Sequence, residues 1–465
     1  MSRPGVVLRW CVPDVALATA CVTLFYCLFL FQGYQKLFRD SDAGWHIRTG
    51  EAILATGTLP RTDPYSFTRG GQPWFAWEWL ADAGVGGIHR AFGLRGVAVF
   101  YAAAISAGVW LWFRLHWALG GNFLIACAMA PLLLSTCNIH WLARPHVLSW
   151  IFLLLAVFPR KPHLAAVALV TALWANIHAS FFLAPVIALL FALEDRWYLK
   201  AAAVAAIAPL LNPYGPQLYV HVFRYLTDSD LLSRIGEFQS FDFHSAGAMQ
   251  IIATLILGII GGTLALTQKR PHHFALAILV TAMALRSARA LPLSALLLLP
   301  IANAAVGQAL SPAYSSFLAY AANLRALDAR FRGLALAPFI LIAAFYLTPA
   351  AGFPPDQFPV AAYSHIPPGA RLFAPDKFGG YLIYRSNGAL KVFFDGRSDL
   401  YGADFLKRYS RLVQVRPGWR AYWESFHFTH ALLPADTPLL PALEQLGWRP
   451  LYADKTATLL AFGGT

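Results

Sequence analysis

Charge is scarce in this chain. Asp, Glu, Lys and Arg make up 13% of its 465 residues, against about a quarter in an average soluble domain. Hydrophobic residues make up 58%, which excludes a disordered chain and argues against a soluble enzyme. Cysteine is sparse too. All five (Cys11, Cys21, Cys27, Cys127, Cys137) lie in or beside apolar runs, so there is no disulfide framework and no CxxC metal site. No Walker A, GxSxG, HExxH or EF-hand pattern occurs, and no internal repeat. Acidic residues number 23 and basic residues 36, a formal charge of +13. In so apolar a chain the excess marks cytoplasmic loops, anionic lipid or a phosphate-bearing ligand. No stripe of bases and aromatics tracks a nucleic-acid strand, so no nucleic-acid partner is expected.

Long apolar runs are what the chain does have. A helix crosses the hydrocarbon in about 20 residues, fewer if protein covers its ends. About eleven candidates stand near 12–32, 95–113, 121–138, 145–158, 163–176, 178–194, 200–212, 248–267, 273–286, 289–309 and 333–350. Between 163 and 212 the helices could be short, broken or re-entrant. The first run follows basic residues and has no small-residue cleavage site, so it reads as a retained span rather than a signal peptide. Trp and Tyr gather where the runs end, as at a membrane boundary.

Basic residues orient the chain. With Arg3 and Arg9 in the cytoplasm, the inward turns carry Arg114; Arg160 and Lys161; Arg196 and Lys200; Lys269 and Arg270; and Arg325, Arg330 and Arg332. The outward side then receives 33–94, the turns near 139–144, 177 and 286–290, the stretch 213–247, and everything after 351. The expected architecture is an α-helical polytopic membrane domain over 1–350, with a long first external loop over 33–94. A small external α/β domain is expected over 351–465. In that tail, strands are expected at Tyr381–Tyr384, Lys391–Phe394, His430–Leu433, Leu451–Tyr452 and Thr458–Phe462, alternating with helices near 403–412, 418–427 and 438–446.

Polar residues at span ends fall mostly on the outer side. They usually line a cavity or pair with one another, because polar groups at membrane depth are costly. The densest cluster is Arg39-Asp40-Ser41-Asp42-Ala43-Gly44-Trp45-His46. Asp40 and Asp42 repel each other and need a cation, a basic partner or a raised pKa. They could ligate a divalent metal such as Mg or Mn, or one could act as general base toward an attacking hydroxyl. The plainer alternative has Asp40 capping the next helix and Asp42 paired with Arg39 or Arg48. Glu78, between Trp77 and Trp79, either joins the aspartates or sits on an amphipathic interfacial helix. Asp63 reads as a turn residue.

On the basic side stand Arg144-Pro145-His146 and Arg286-Ser287-Ala288-Arg289. Guanidinium is a planar fork suited to phosphate, and two Arg three apart on a helix share a face. Snorkelling to lipid headgroups is the alternative. His178, after Asn176, could donate to phosphate, move a proton, or make structural hydrogen bonds; Asn212-Pro213 stops a helix. Asp395-Gly396-Arg397-Ser398-Asp399 reads as a turn or as an acceptor contact.

The run Asp42-Ala-Gly-Trp45-His46-Ile-Arg48, with Gly50-Glu51-Ala-Ile53 and Gly57-Thr-Leu-Pro60, resembles the first external loop of the GT-C glycosyltransferases. It looks closest to oligosaccharyltransferase catalytic subunits, with related acidic motifs in protein mannosyltransferases and lipid A aminoarabinose transferases. It also resembles a bacterial branch with a D-x-D-x-x-W-H loop and a G-G-Y-L-I…D-G-R tail, here Gly379–Ile383 and Asp395–Arg397. The match covers about 50 residues of the loop, and the tail lacks a W-W-D-Y-G element, so sequon recognition is not implied. The resemblance implies an enzyme of the bacterial inner membrane that takes a sugar from a polyprenyl-phosphate lipid. The sugar would go to a glycan, lipid or protein acceptor on the outer side, with inversion. Asp42 matches the family's acidic position as base or metal ligand, with Asp40 a weaker candidate. No residue of the later spans is matched by a family motif; on charge and position alone, Arg286, Arg289, Arg144, His146 and His178 are expected to meet the donor phosphate, and His46 and Glu78 the acceptor or the loop site. A lipid-linked sugar flippase or transporter would explain the spans and the arginines, but less well the long acidic first loop and the globular outer tail; a non-catalytic polysaccharide-assembly protein is a third reading.

Overall fold

The structure, a computed structural model, describes residues 6–310 and 313–463; Arg3, one of the orienting charges, lies outside them. Helices occupy all eleven apolar stretches. Among the described residues, four are long and apolar enough to cross a membrane: Arg9–Phe29, Trp79–Ala118, Ala248–Thr267 and Ala288–Leu310. Others are shorter; His146–Ala156 has 11 residues, a length of about 16 Å at 1.5 Å per residue. The polar breaks read from the sequence end these helices. Leu164–Ile177 stops at His178, which turns extended, and Asn212 accepts from the amide of Tyr214 to close the turn after Leu210.

Trp79–Ala118 is the central post. It packs against Val15–Phe29, Asp42–Thr56 and His146–Ala156. Its first part belongs to the loop and its second to the bundle, and they meet at Gly93, with φ 62° and ψ −164°. That conformation is open almost only to glycine. Leu291–Leu310 is a second core helix, packed against Ala248–Thr267 and Phe123–Asn138.

The tail builds a four-stranded sheet from β1 (Leu372–Phe373), β2 (His430–Pro434), β3 (Trp448–Ala453) and β4 (Ala457–Phe462), in the order β1-β2-β4-β3. β1 runs parallel to β2, and the other two pairings are antiparallel. Three expected strands and all three expected helices are found. Two strands are not. Tyr381–Tyr384 is helical, within Asp376–Arg385, because a short apolar run reads equally as one buried helix face. Here Phe378, Tyr381 and Leu382 are that face. Lys391–Phe394 joins no strand of the sheet. Val392 instead donates to the Tyr65 carbonyl at 2.9 Å and accepts from the amide of Phe67 at 3.1 Å, so its backbone partner is the first loop.

Candidate active site

Asp42 opens the helix Asp42–Thr56. Asp40 Oδ1 accepts from the Asp42 amide at 2.9 Å, satisfying one of the free N–H groups of the helix start. Asp40 thus serves the helix start as expected, although the N-cap position itself is Ser41, whose side chain makes no capping bond. The pairing alternative does not hold for Asp42. Arg39 donates to the carbonyls of Asn138 and Ile139, and Arg48 to Glu51 and the Tyr384 carbonyl. The partner of Asp42 is Arg144. Its Nη2 lies 3.0 Å from Asp42 Oδ2, while Nη1 donates to Asp40 Oδ2 at 2.7 Å and Glu237 Oε1 at 2.9 Å. Arg289 approaches the other Glu237 oxygen at 3.5 Å.

Three carboxylates thus share two guanidinium groups. Burial, and then Asp40, push the Asp42 carboxyl up to about 8 against the pull of Arg144. Burial also opposes ionisation of Glu237, but Arg144 and Arg289 hold it well below the usual carboxylate range. Glu237 was not singled out in the sequence. Its signal was faint: one acid between Ile235 and Phe238 in a long polar stretch.

A second acidic group stands one helical turn further on. His46 Nδ1 meets Asp82 Oδ1 at 2.6 Å, both buried, and its Nε2 lies 3.7 Å from Glu78. His178 Nε2 reaches the other Glu78 oxygen at 3.7 Å. Burial raises Glu78 to about 7 and holds His46 well below its ordinary value. His178 uses Nδ1 to accept from the Ser180 amide, and His146 donates from Nε2 to the His140 carbonyl at 2.8 Å. Both histidines therefore have structural bonds on one side of the ring.

Asp42, Glu78, Arg144, His146, His178, Arg286 and Arg289 border one cavity of about 620 Å³. Its wall is largely aromatic and aliphatic, with Trp45, Trp74, Trp77, Trp150, Leu183 and Leu293. Asp40 is not on it but borders a second cavity of about 480 Å³, together with Arg39, Arg234, Glu237, Asp376 and Lys377. Asp42, Arg144, Arg289 and Gly396 line both. Arg286 and Arg289 do not share a helix face as expected. The helix ends at Arg286, Ser287 is extended, and Arg289 sits in the short turn Ala288–Ala290. Arg286 has no ion-pair partner among the described residues. Arg144 is not a free phosphate ligand either, because both terminal nitrogens are taken by carboxylates.

The Asp395–Asp399 turn is built into the site. Arg397 clamps Asp395 through Nε at 2.8 Å and Nη2 at 2.7 Å, and Nη2 also reaches Asp63 at 2.8 Å. Its guanidinium lies 4.6 Å from the Trp74 ring. Asp63 is a turn residue, as expected, holding the amides of Tyr65 and Ser66. The metal reading of Asp40 and Asp42 does not fit this arrangement. The Arg144 guanidinium stands where the two carboxylates converge, and no group of three or more His, Cys, Asp or Glu among the described residues is placed to hold an ion.

Solved structures share this fold of apolar helices, long folded first loop and small mixed tail. The Archaeoglobus fulgidus oligosaccharyltransferase in its apo form is similar over 97% of this chain and 74% of its own, with TM-score 0.52 and 14% identity. The same enzyme, tethered by a disulfide to an acceptor peptide containing the NVT sequon, matches over 90% of this chain and 68% of its own, with TM-score 0.52 and 11% identity. At those identities the likeness is one of fold. No protein-family model and no curated protein matches the chain.

Proposed function

We propose that the protein is a membrane glycosyltransferase that moves a sugar from a polyprenyl-phosphate donor to an acceptor on the outer side of the membrane. The observation that carries this reading is the position of Asp42 on the wall shared by two unlike cavities. The larger, aromatic and aliphatic one suits a lipid-linked sugar, and the smaller, charged one suits a polar acceptor. An acceptor hydroxyl would attack the sugar carbon as Asp42 takes its proton. The bond from that carbon to the phosphate oxygen would break with inversion. The departing phosphate anion would meet Arg286 and Arg289, fixed charges at the cavity edge. The eleven-span topology and a bacterial inner-membrane location, with the tail outside, belong to the same proposal.

The test is transfer from a radiolabelled polyprenyl-phosphate sugar by the purified chain in lipid. Release of polyprenyl phosphate with label on an acceptor, lost in Asp42→Asn, supports the reading. Movement of intact donor across vesicles without release would replace it with a flippase.

A further inference from the structure

The twin aspartates invite a divalent cation. The structure puts something else at that point. Asp40 and Asp42 come from the start of one helix, and Glu237 from the turn Gly236–Phe238 almost two hundred positions later. All three direct an oxygen at Arg144, at 2.7, 3.0 and 2.9 Å. Carboxylate oxygens are the hard ligands a divalent ion takes, but these three are spread over the two terminal nitrogens of one guanidinium and form no group placed to hold an ion. The positive charge among them is a side chain. Arg144 is well fixed: it is 14% exposed, the Ala143 amide before it is tied to the Leu37 carbonyl at 2.8 Å, and its own carbonyl accepts from Val147.

We propose that the Arg144 guanidinium is a built-in substitute for the divalent cation, so that the cluster works without metal. Arg144 supplies permanent positive charge, holds Oδ2 of Asp42, and leaves Oδ1 facing Gly396 and the cavity junction. A guanidinium keeps its charge at every working pH and cannot be removed by a chelator. A divalent ion entering the cluster would have to expel it. The proposal rests on the reading above only in taking this cluster as the reacting centre.

The test reads metal binding rather than transfer, so its failure and that of the transferase reading are separable. Full-length protein in lipid nanodiscs is stripped with chelator and titrated with Mn²⁺. Free ion is followed by electron paramagnetic resonance, and thermal unfolding is measured in parallel, since a ligand of the folded state raises the melting temperature. The wild type is expected to take up no stoichiometric Mn²⁺ and to show no shift. Arg144→Gln leaves three carboxylates without their guanidinium and is expected to bind Mn²⁺ at least about tenfold more tightly than the wild type, with a melting shift of several degrees. Adding Asp42→Asn to it should abolish the gain. Uptake of one Mn²⁺ per wild-type chain, lost in Asp42→Asn, overturns the proposal, as does a folded Arg144→Gln that gains no affinity. If Arg144→Gln does not fold, the wild-type titration decides alone.

Discussion

Gly396 lies flat against the carboxylate of Asp42, so close that any side-chain carbon on it would overlap the Oδ1 atom. The tail therefore forms one wall of the seat in which the proposed base rests.

Gly396→Ala is expected to displace that carboxylate. The backbone of Gly396 is not in the left-handed region, so alanine is permitted there, and the nearest clash is with the Asp42 carboxylate. Transfer should fall by about a hundredfold, as expected for an ångström-scale misplacement of a reacting group. Stability should fall by about 1–3 kcal/mol from overpacking. Initial rates and thermal unfolding on one preparation check both.

Asp42→Asn keeps the shape and removes the base. The rate should drop by about 10²–10⁴-fold, the span attributed to a positioned general base. Melting temperature should hold near neutral pH, where the Asp42 carboxyl, raised to about 8, is already largely protonated, and should rise above that pH, where the variant removes one of three crowded negative charges. An unaltered rate in a folded variant would end the assignment.

The pH profile should carry the same residue. Burial and Asp40 raise the Asp42 carboxyl to about 8, with Arg144, Glu237 and Trp45 also facing it. Only the ionised form accepts a proton, so kcat/KM should climb about tenfold per pH unit and level off above about 8. Stability moves the other way. A carboxyl that titrates higher when folded holds more protons than the unfolded chain below that value, so this contribution is lost as pH rises toward about 8. Rate and unfolding measurements from pH 5 to 9 in about equal steps test both signs.

Arg286→Ala and Arg289→Ala should differ. Arg286 has no acidic partner among the described residues, so its loss should raise the donor KM about tenfold and leave melting unchanged. Arg289 also sits 3.5 Å from Glu237, so its loss should raise KM and lower the melting temperature as well. Donor titrations against each variant separate the two.

Arg397→Leu leaves Asp63 and Asp395 buried without their shared counter-charge. Removing one partner from a buried ionic cluster costs about 3–5 kcal/mol, which thermal unfolding would register as a large drop. Arg397→Lys should rescue only part of it, because one ammonium cannot reproduce the two-pronged grip on Asp395.

The helical skeleton was readable because membrane helices need long apolar runs whose ends are marked by Asn, Pro and Arg. The acidic pair at Asp40 and Asp42 stood out for the same reason: charge is rare enough here to be conspicuous. What stayed hidden depends on partners far apart in the chain. Nothing near Glu237 says that it meets Arg144, and Lys391–Phe394 looks like a strand until its backbone is found bonded to Tyr65 and Phe67. The pair Arg286 and Arg289 was mistaken for one helix face because spacing alone does not show that Ser287 is extended.

Gly44 and Gly380 press backbone to backbone, with room for no methyl group on either. Residues made early in synthesis thus wait for residues made near the end. A chain released only as far as the last apolar helix has not yet supplied the wall at Asp42, which comes with Gly380 and Gly396. Under the proposed transfer reaction, truncated or stalled chains would be inert rather than wasteful of donor lipid, a safeguard that follows from the order of translation.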